Sequence, residues 1–311
     1  MKVLVTGAAG FIGSHVVDGL LKQGHQVVAV DDLSSGEERF LDSRARFHRL
    51  DIRAAEFAAL VRQEEPEVVH HLAAQMSVSR SVREPLFDAD VNVLGGLNLL
   101  LAARDVNARI VFSSTGGAIY GTDARLPITE TAAAWPVSMY GVSKLAFEHY
   151  LFAFRQQFGL ESTILRYSNV YGPRQNPHGE AGVVAIFARR ILAGQACTIH
   201  GTGADTRDYV HVADVARANL LALEKHPEGV FNIGTGRQTS TNTIFGLIGE
   251  NLDPSARAEH GPPRPGDLPA SALDWSRAEQ VLGWRPEIGI EDGIAETAAW
   301  FRQDTPSEPG A

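Results

Sequence analysis

Sulfur chemistry is almost absent from this chain, which holds one cysteine, Cys197. A lone thiol forms no intrachain disulfide and builds no cysteine-rich metal centre, and this usage fits a reducing, cytoplasmic setting. Basic residues are outnumbered, 28 Lys and Arg against 37 Asp and Glu, for a formal net charge of -9. That balance argues against nucleic acid or an anionic membrane surface as the main partner. A small anionic ligand remains possible, because a few local guanidinium groups suffice to hold one. No continuous apolar run approaches the length of a membrane span, and the N-terminus lacks the charged start and cleavage site of a signal peptide. His178, His200 and His211 form no metal-ligand set, so no metal is expected. Residues 304–311 are polar and rich in Pro and Gly, and read as a flexible tail. With 44% hydrophobic residues in 311, the chain can bury a sizeable core in one large or two modest domains.

The remaining pattern alternates strand and helix. Residues 2–6 (K-V-L-V-T) are a β-branched run, followed at once by Gly7-Ala8-Ala9-Gly10-Phe11-Ile12-Gly13 and an amphipathic pattern over residues 14–23. Strand, glycine turn and helix in succession suit a dinucleotide: glycines let the backbone approach a pyrophosphate, and the helix N-terminus holds its charge. The spacing is G-x-x-G-x-x-G, not the G-x-G-x-x-G of the standard fingerprint. A second strand, residues 26–30, ends in Asp31, where an acid accepts ribose hydroxyls and repels a 2′-phosphate, favouring NAD over NADP. Strand and helix patterns follow at 46–50, 56–63, 68–72, 88–105 and 109–113. A doubly wound parallel sheet is the expected architecture.

Tyr140-Gly141-Val142-Ser143-Lys144 places a phenol and an ammonium on one helix face. A cation beside a phenol favours phenolate, lowering its pKa toward the range of a general base. Thr115, at a strand end facing the expected crevice, is positioned to share the same substrate hydroxyl, with Ser114 its nearest rival.

Together, the glycine turn, Asp31, Leu72-Ala73-Ala74, Asn92, the Ser/Thr strand end and Tyr140/Lys144 resemble the extended short-chain dehydrogenase/reductases, within them the UDP-glucose 4-epimerase group. The resemblance runs to about Phe301. It implies an NAD-binding Rossmann domain over residues 1–167, with the chain crossing back after it, and a smaller mixed α/β UDP-sugar domain over 168–303. It further implies that Gly7, Gly10, Phe11, Ile12, Asp31, Asp32, Leu33, Ser34, Asp51, Ile52, Leu72, Ala73, Ala74, Asn92, Tyr140 and Lys144 contact NAD. Tyr167 and Ser168 would lie beside the nicotinamide and Asn169 on the diphosphate. Met76 departs from the family, several of whose members carry a Lys there, near the ribose. Relatives that dehydrate or decarboxylate nucleotide sugars carry acids after or near the catalytic Thr, where this chain has Gly116 and Gly117. What remains is oxidation at carbon 4 of a UDP-hexose and re-reduction on the opposite face, with Thr115, Tyr140 and Lys144 as the catalytic set.

On the substrate side, residues 178–184 open a helix pattern through Ile191, and its N-terminus around Gly182 and Val183 is a ready anion site. Arg207 and Arg264 match family positions that grip the diphosphate, where guanidinium forks bind phosphate bidentately, and Asp267 would take a ribose hydroxyl. Ser271 stands where some epimerases carry a bulky Tyr, leaving space for an N-acetyl group. UDP-glucuronate 4-epimerisation, with Arg80 or Arg174 receiving the carboxylate, and a catalytically silent NAD sensor are the alternatives. The family commonly pairs two helices per subunit, which here implies a homodimer through residues 88–105 and 147–158.

Overall fold

The structure is a computed structural model and describes residues 1–122, 124–177, 182–263 and 268–304. The first half runs β1 (Lys2–Thr6), α1 (Phe11–Lys22), β2 (Gln26–Asp31), β3 (Arg46–Arg49), α2 (Ala55–Glu64), β4 (Val68–His71), α3 (Val78–Arg83) and α4 (Pro85–Ala89). A π-helical turn (Asp90–Gly95) then leads into α5 (Gly96–Asp105), β5 (Arg109–Thr115), the short turn α6 (Gly116–Ile119) and the long α7 (Met139–Phe158). The second half continues with β6 (Ser162–Tyr167), β7 (Asn169–Tyr171), α8 (Val183–Leu192), β8 (Cys197–His200), β9 (Thr206–Arg207), β10 (Tyr209–His211) and α9 (Val212–Lys225). It closes with β11 (Gly229–Ile233), β12 (Thr239–Ser240), α10 (Thr241–Leu252), β13 (Ala258–Gly261), α11 (Ser276–Leu282) and α12 (Ile290–Gln303).

Seven strands form one sheet in the order β11-β6-β5-β4-β1-β2-β3, and every pairing in it is parallel. Strands buried on both faces read as continuous apolar runs, and β1 shows how each face is used. Val3 and Val5 join the layer of α1, α9 and α11, while Leu4 joins the layer of α2, α5 and α7. Phe57, Leu99, Leu100 and Phe147 are fully buried in the latter, each contributing about 1.5–3 kcal/mol of transfer free energy. Order reverses between β1 and β4, so their C-terminal ends flank the switch point where ligands enter such sheets.

A separate core gathers Tyr171, Val184, Phe187, Ile191, Ile199, Ile244, Ile248, Ile294 and Phe301 from β7, α8, β8, α10 and α12. The chain returns to the sheet after β7, since α9 lies on α1 and β11 pairs with β6. Trp284, fully buried, donates from Nε1 to Asp214 O at 2.8 Å and seals that layer.

Several local expectations change. Residues 207–210 read from the sequence as one short strand, but Arg207 belongs to β9, paired with β12, and Tyr209 to β10, paired with β7. The break falls at Asp208, whose buried carboxylate accepts from Thr235 N, Thr235 Oγ, Gly236 N and Leu273 N and so turns the chain. The helix expected from residue 88 starts at Pro85, whose fixed φ suits a first turn, and it contains the π-helical turn. Residues 85–105 reach the length and hydropathy of a membrane span, because the Asp and Gly residues within them interrupt the apolar run without lowering its mean enough; they pack here against α2 and α7. Asp304 is not part of a free tail. Arg39 and Arg189 each donate to its carboxylate at 2.6 Å, and two guanidinium groups hold it down.

Candidate active site

The glycine turn is built by steric necessity. Gly7 has φ +67, and a Cβ on Gly13 would lie 2.0 Å from Gly7 O, so the turn closes only with glycine there. The N-terminus of α1 carries no side-chain cap and no acid in its first turn. Its amide groups and dipole thus suit an anion. Asp31, at the end of β2, accepts from Ala9 N at 3.0 Å and Leu33 N at 2.8 Å, tying the ribose-side loop to the glycine turn. Asp32 caps Ser34, from both its N–H and its hydroxyl, and Asp51 is engaged by Arg53. Ile52 is buried under Asn98 and α5. Ala73 N donates to Thr6 Oγ1 at 3.2 Å, drawing Leu72, Ala73 and Ala74 to the end of β1. Phe11 and Ile12 open α1 beside Gly10.

These residues fit a dinucleotide: an uncapped helix end at a glycine cradle, a carboxylate at the next strand end, and a buried Ser168 Oγ with no hydrogen-bond partner among the described residues. Asn92 also serves the frame of the site. Its amide donates to Gln75 O, Asp88 Oδ1 and Ser143 Oγ and its carbonyl accepts from Gln75 N, so it braces the segment behind Ala74.

At the opposite side of the crevice, Ser138 caps α7 by accepting from Gly141 N at 3.2 Å, which fixes where Tyr140 starts its first turn. Thr115, ending β5, lies beside the Tyr140 phenol and acts to lower its pKa. Ser114, the rival, donates to Glu148 Oε1 at 2.6 Å and is buried. Ser114 is thereby committed to the helix behind, and Thr115 is left on the side of the phenol.

The electrostatics correct the expectation for Tyr140. Tyr140 is partly buried as a residue, yet its phenol is enclosed, and burial pushes it above the usual tyrosine value; Asp88 pushes further and Thr115 pulls back. Lys144 donates instead to Ser113 O at 2.9 Å, with its ammonium 4.7 Å from the Phe112 ring centre. Burial lowers Lys144 to about 8, opposed by Asp88 and Glu148. Without a further cation the phenol stays protonated.

On the substrate side, Asn169 opens β7, and its Oδ1 would lie 3.7 Å from a Cβ on Gly117; Thr115 Oγ1 would lie 4.0 Å from it. A side chain at 117 would thus enter the space between these two groups. Gly116, Gly117, Tyr120 and Ser271 line one small cavity, and Ser271 is buried with its N–H on Thr206 O at 3.2 Å. Arg207 donates to Thr206 O and Leu268 O, which brings it to the same loop. Gly182 and Val183 start α8. Tyr167 OH bonds Ser113 Oγ and Asn219 Nδ2. Arg264 and Asp267 lie outside the described residues, as does His178. Arg80 pairs with Glu84 and Arg174 with Asp18.

Sequence reasoning missed a buried group behind the pair. Arg166 grips Glu148 through Nε at 2.9 Å and Nη2 at 2.5 Å and donates to Tyr120 OH. Asp88 sits nearby, fully buried. Spacing held a signal for both, since Glu148 is i+4 from Lys144 and Asp88 is i-4 from Asn92.

Sheet order, glycine cradle and Tyr–Lys helix define a Rossmann-type dinucleotide-binding enzyme of the extended short-chain dehydrogenase/reductase type. Residues 3–234 match the NAD dependent epimerase/dehydratase family. A UDP-glucose 4-epimerase of Mycolicibacterium smegmatis is 47% identical over 309 residues, covering 97% of this chain and 99% of that protein. Among solved structures, the UDP-glucose 4-epimerase of Thermotoga maritima with UDP-glucose superposes with a TM-score of 0.95 at 48% identity, covering 97% of this chain and 99% of its own. The UDP-glucose 4-epimerase of Thermus thermophilus in complex with NAD gives 0.93 at 45%, covering 98% of this chain and 100% of its own. The chain belongs to the NAD dependent epimerase/dehydratase family.

Proposed function

We propose that the protein interconverts UDP-hexoses at carbon 4, UDP-glucose with UDP-galactose and also their N-acetylated forms, through a transient 4-keto sugar. The observation carrying this is the meeting of Thr115 and the Tyr140 phenol at the sheet edge, with glycines, not acids, at 116 and 117. Bound NAD supplies a reversible hydride acceptor and a positive charge that favours phenolate. Tyr140 Oη takes the proton from the 4-hydroxyl and later returns it, Thr115 Oγ1 holds that hydroxyl, and Lys144 steadies the negative oxygen. With no acid beside Thr115 to expel a neighbouring hydroxyl, the keto sugar is only re-reduced.

Ser271 and the glycines around it support room for an N-acetyl group. The glucuronate reading gains no support from Arg80 or Arg174, both already paired with carboxylates. Homodimer formation is part of the proposal and is supported by exposed apolar side chains on α7, with Val142 and Phe152 at 52% and 62% exposure, and by Leu94 in the turn before α5 at 58%.

A panel of UDP-sugars tests the substrate assignment. Purified protein is expected to equilibrate UDP-galactose with UDP-glucose without net NAD consumption, and to turn over UDP-N-acetylglucosamine. Conversion of UDP-galactose alone removes the Ser271 argument, and NAD binding without turnover of any UDP-hexose leaves the silent sensor.

A further inference from the structure

We propose that Asp88 is a positioning residue for Tyr140 and Lys144: its buried carboxylate anchors the first turn of the helix that carries both side chains and sets a negative charge behind them. This rests on reading Tyr140 as the group that moves the proton. Asp88, in α4, is 1% exposed. A carboxylate so buried needs partners, and its Oδ1 accepts from two amides, Gln75 Nε2 at 2.8 Å and Asn92 Nδ2 at 3.1 Å. Amides satisfy an oxygen without cancelling its charge. Glu148 contrasts with it, since its carboxylate is held by the Arg166 fork and it acts on Lys144 but not on Tyr140.

The other charges on elements packed against α7 are committed or remote. On α3, Arg80 pairs with Glu84 and Arg83 is exposed. Asp90 of the π-helical turn pairs with Arg53, and on α5 Arg104 pairs with Asp105. On β5, Arg109 donates to Leu223 O at the far end. On β4, His71 is held neutral by burial, with Lys144 adding to that effect. Asp88 remains, and both Tyr140 and Lys144 lie within its field.

The link is also mechanical. Asn92, on the π-helical turn, reaches Ser143 Oγ at 3.2 Å, and that hydroxyl donates to Tyr140 O at 3.0 Å. A hydrogen-bonded path thus runs from Asp88 through Asn92 to the first turn of α7, and π turns of this sort are frequent at functional sites.

Asp88→Asn removes the charge and little else. With one negative charge gone, both protons leave more readily. The Tyr140 titration, read as tyrosinate absorbance against the matching Tyr140→Phe protein, and both limbs of the kcat–pH profile should therefore move to lower pH by roughly one unit. Asp88→Glu, which keeps the charge, and Gln75→Leu, which removes only an amide, should leave the titration in place. Should Asp88→Asn fail to fold, Asp88→Ser is read the same way. A titration that overlays the wild type, or an equal shift in Gln75→Leu, overturns the proposal. Failure of the underlying reading looks different, since Tyr140→Phe would then keep its rate whatever stands at 88.

Discussion

Tyr140 is held by what surrounds it more than by its neighbour one turn on. Burial and Asp88 keep its proton on, while Thr115, at the strand end, pulls the other way. Lys144 points its ammonium at Ser113 O, so its service to the phenol depends on charge, not contact. Tyr140→Phe should therefore lower turnover by about 10²–10⁴-fold while NAD stays bound, measured as kcat and as cofactor content of the purified protein. A variant that keeps its rate would move the proton transfer elsewhere. The Tyr–Lys pair was readable because helical spacing is a local property. The direction of the phenol's shift was not, because it depends on desolvation and on Asp88, which only the packed chain brings near.

Among elements, β4 shows how a parallel strand carries polar residues through a core. His70 and His71 are buried, the first on Asn219 Oδ1 and the second on Thr6 Oγ1. Burial pushes them down to about 4 and about 3, from 6.5. Between those values the unfolded chain binds more protons than the folded one, so their stability contribution is complete above pH 6.5 and is lost as pH falls through that window. Urea unfolding at pH 7, 6 and 5 should show falling stability, with a shallower slope in His70→Leu; an unchanged slope would clear His70 of the effect. The glycine turn, the first five strands and α7 were legible because their signals are steric or periodic. The division at Asp208 was not, since a buried carboxylate gathering four distant donors leaves no trace in local pattern.

Taken as a whole, the molecule leaves apolar side chains exposed along α7, at Val142, Tyr150 and Phe152. If a second copy covers them, Phe152→Asp should halve the mass found by light scattering and leave the fold intact by circular dichroism. A wild-type protein already of single-chain mass would end the dimer proposal. The route of the chain has its own consequence. The outermost strand, β11, and the sealing Trp284 come from sequence made after β7, α8 and β8. During synthesis the nascent sheet therefore waits with β6 as a bare margin until residue 233 has left the ribosome, and the face over α1 waits longer still. No cut in the gene separates a self-sufficient cofactor half from the rest.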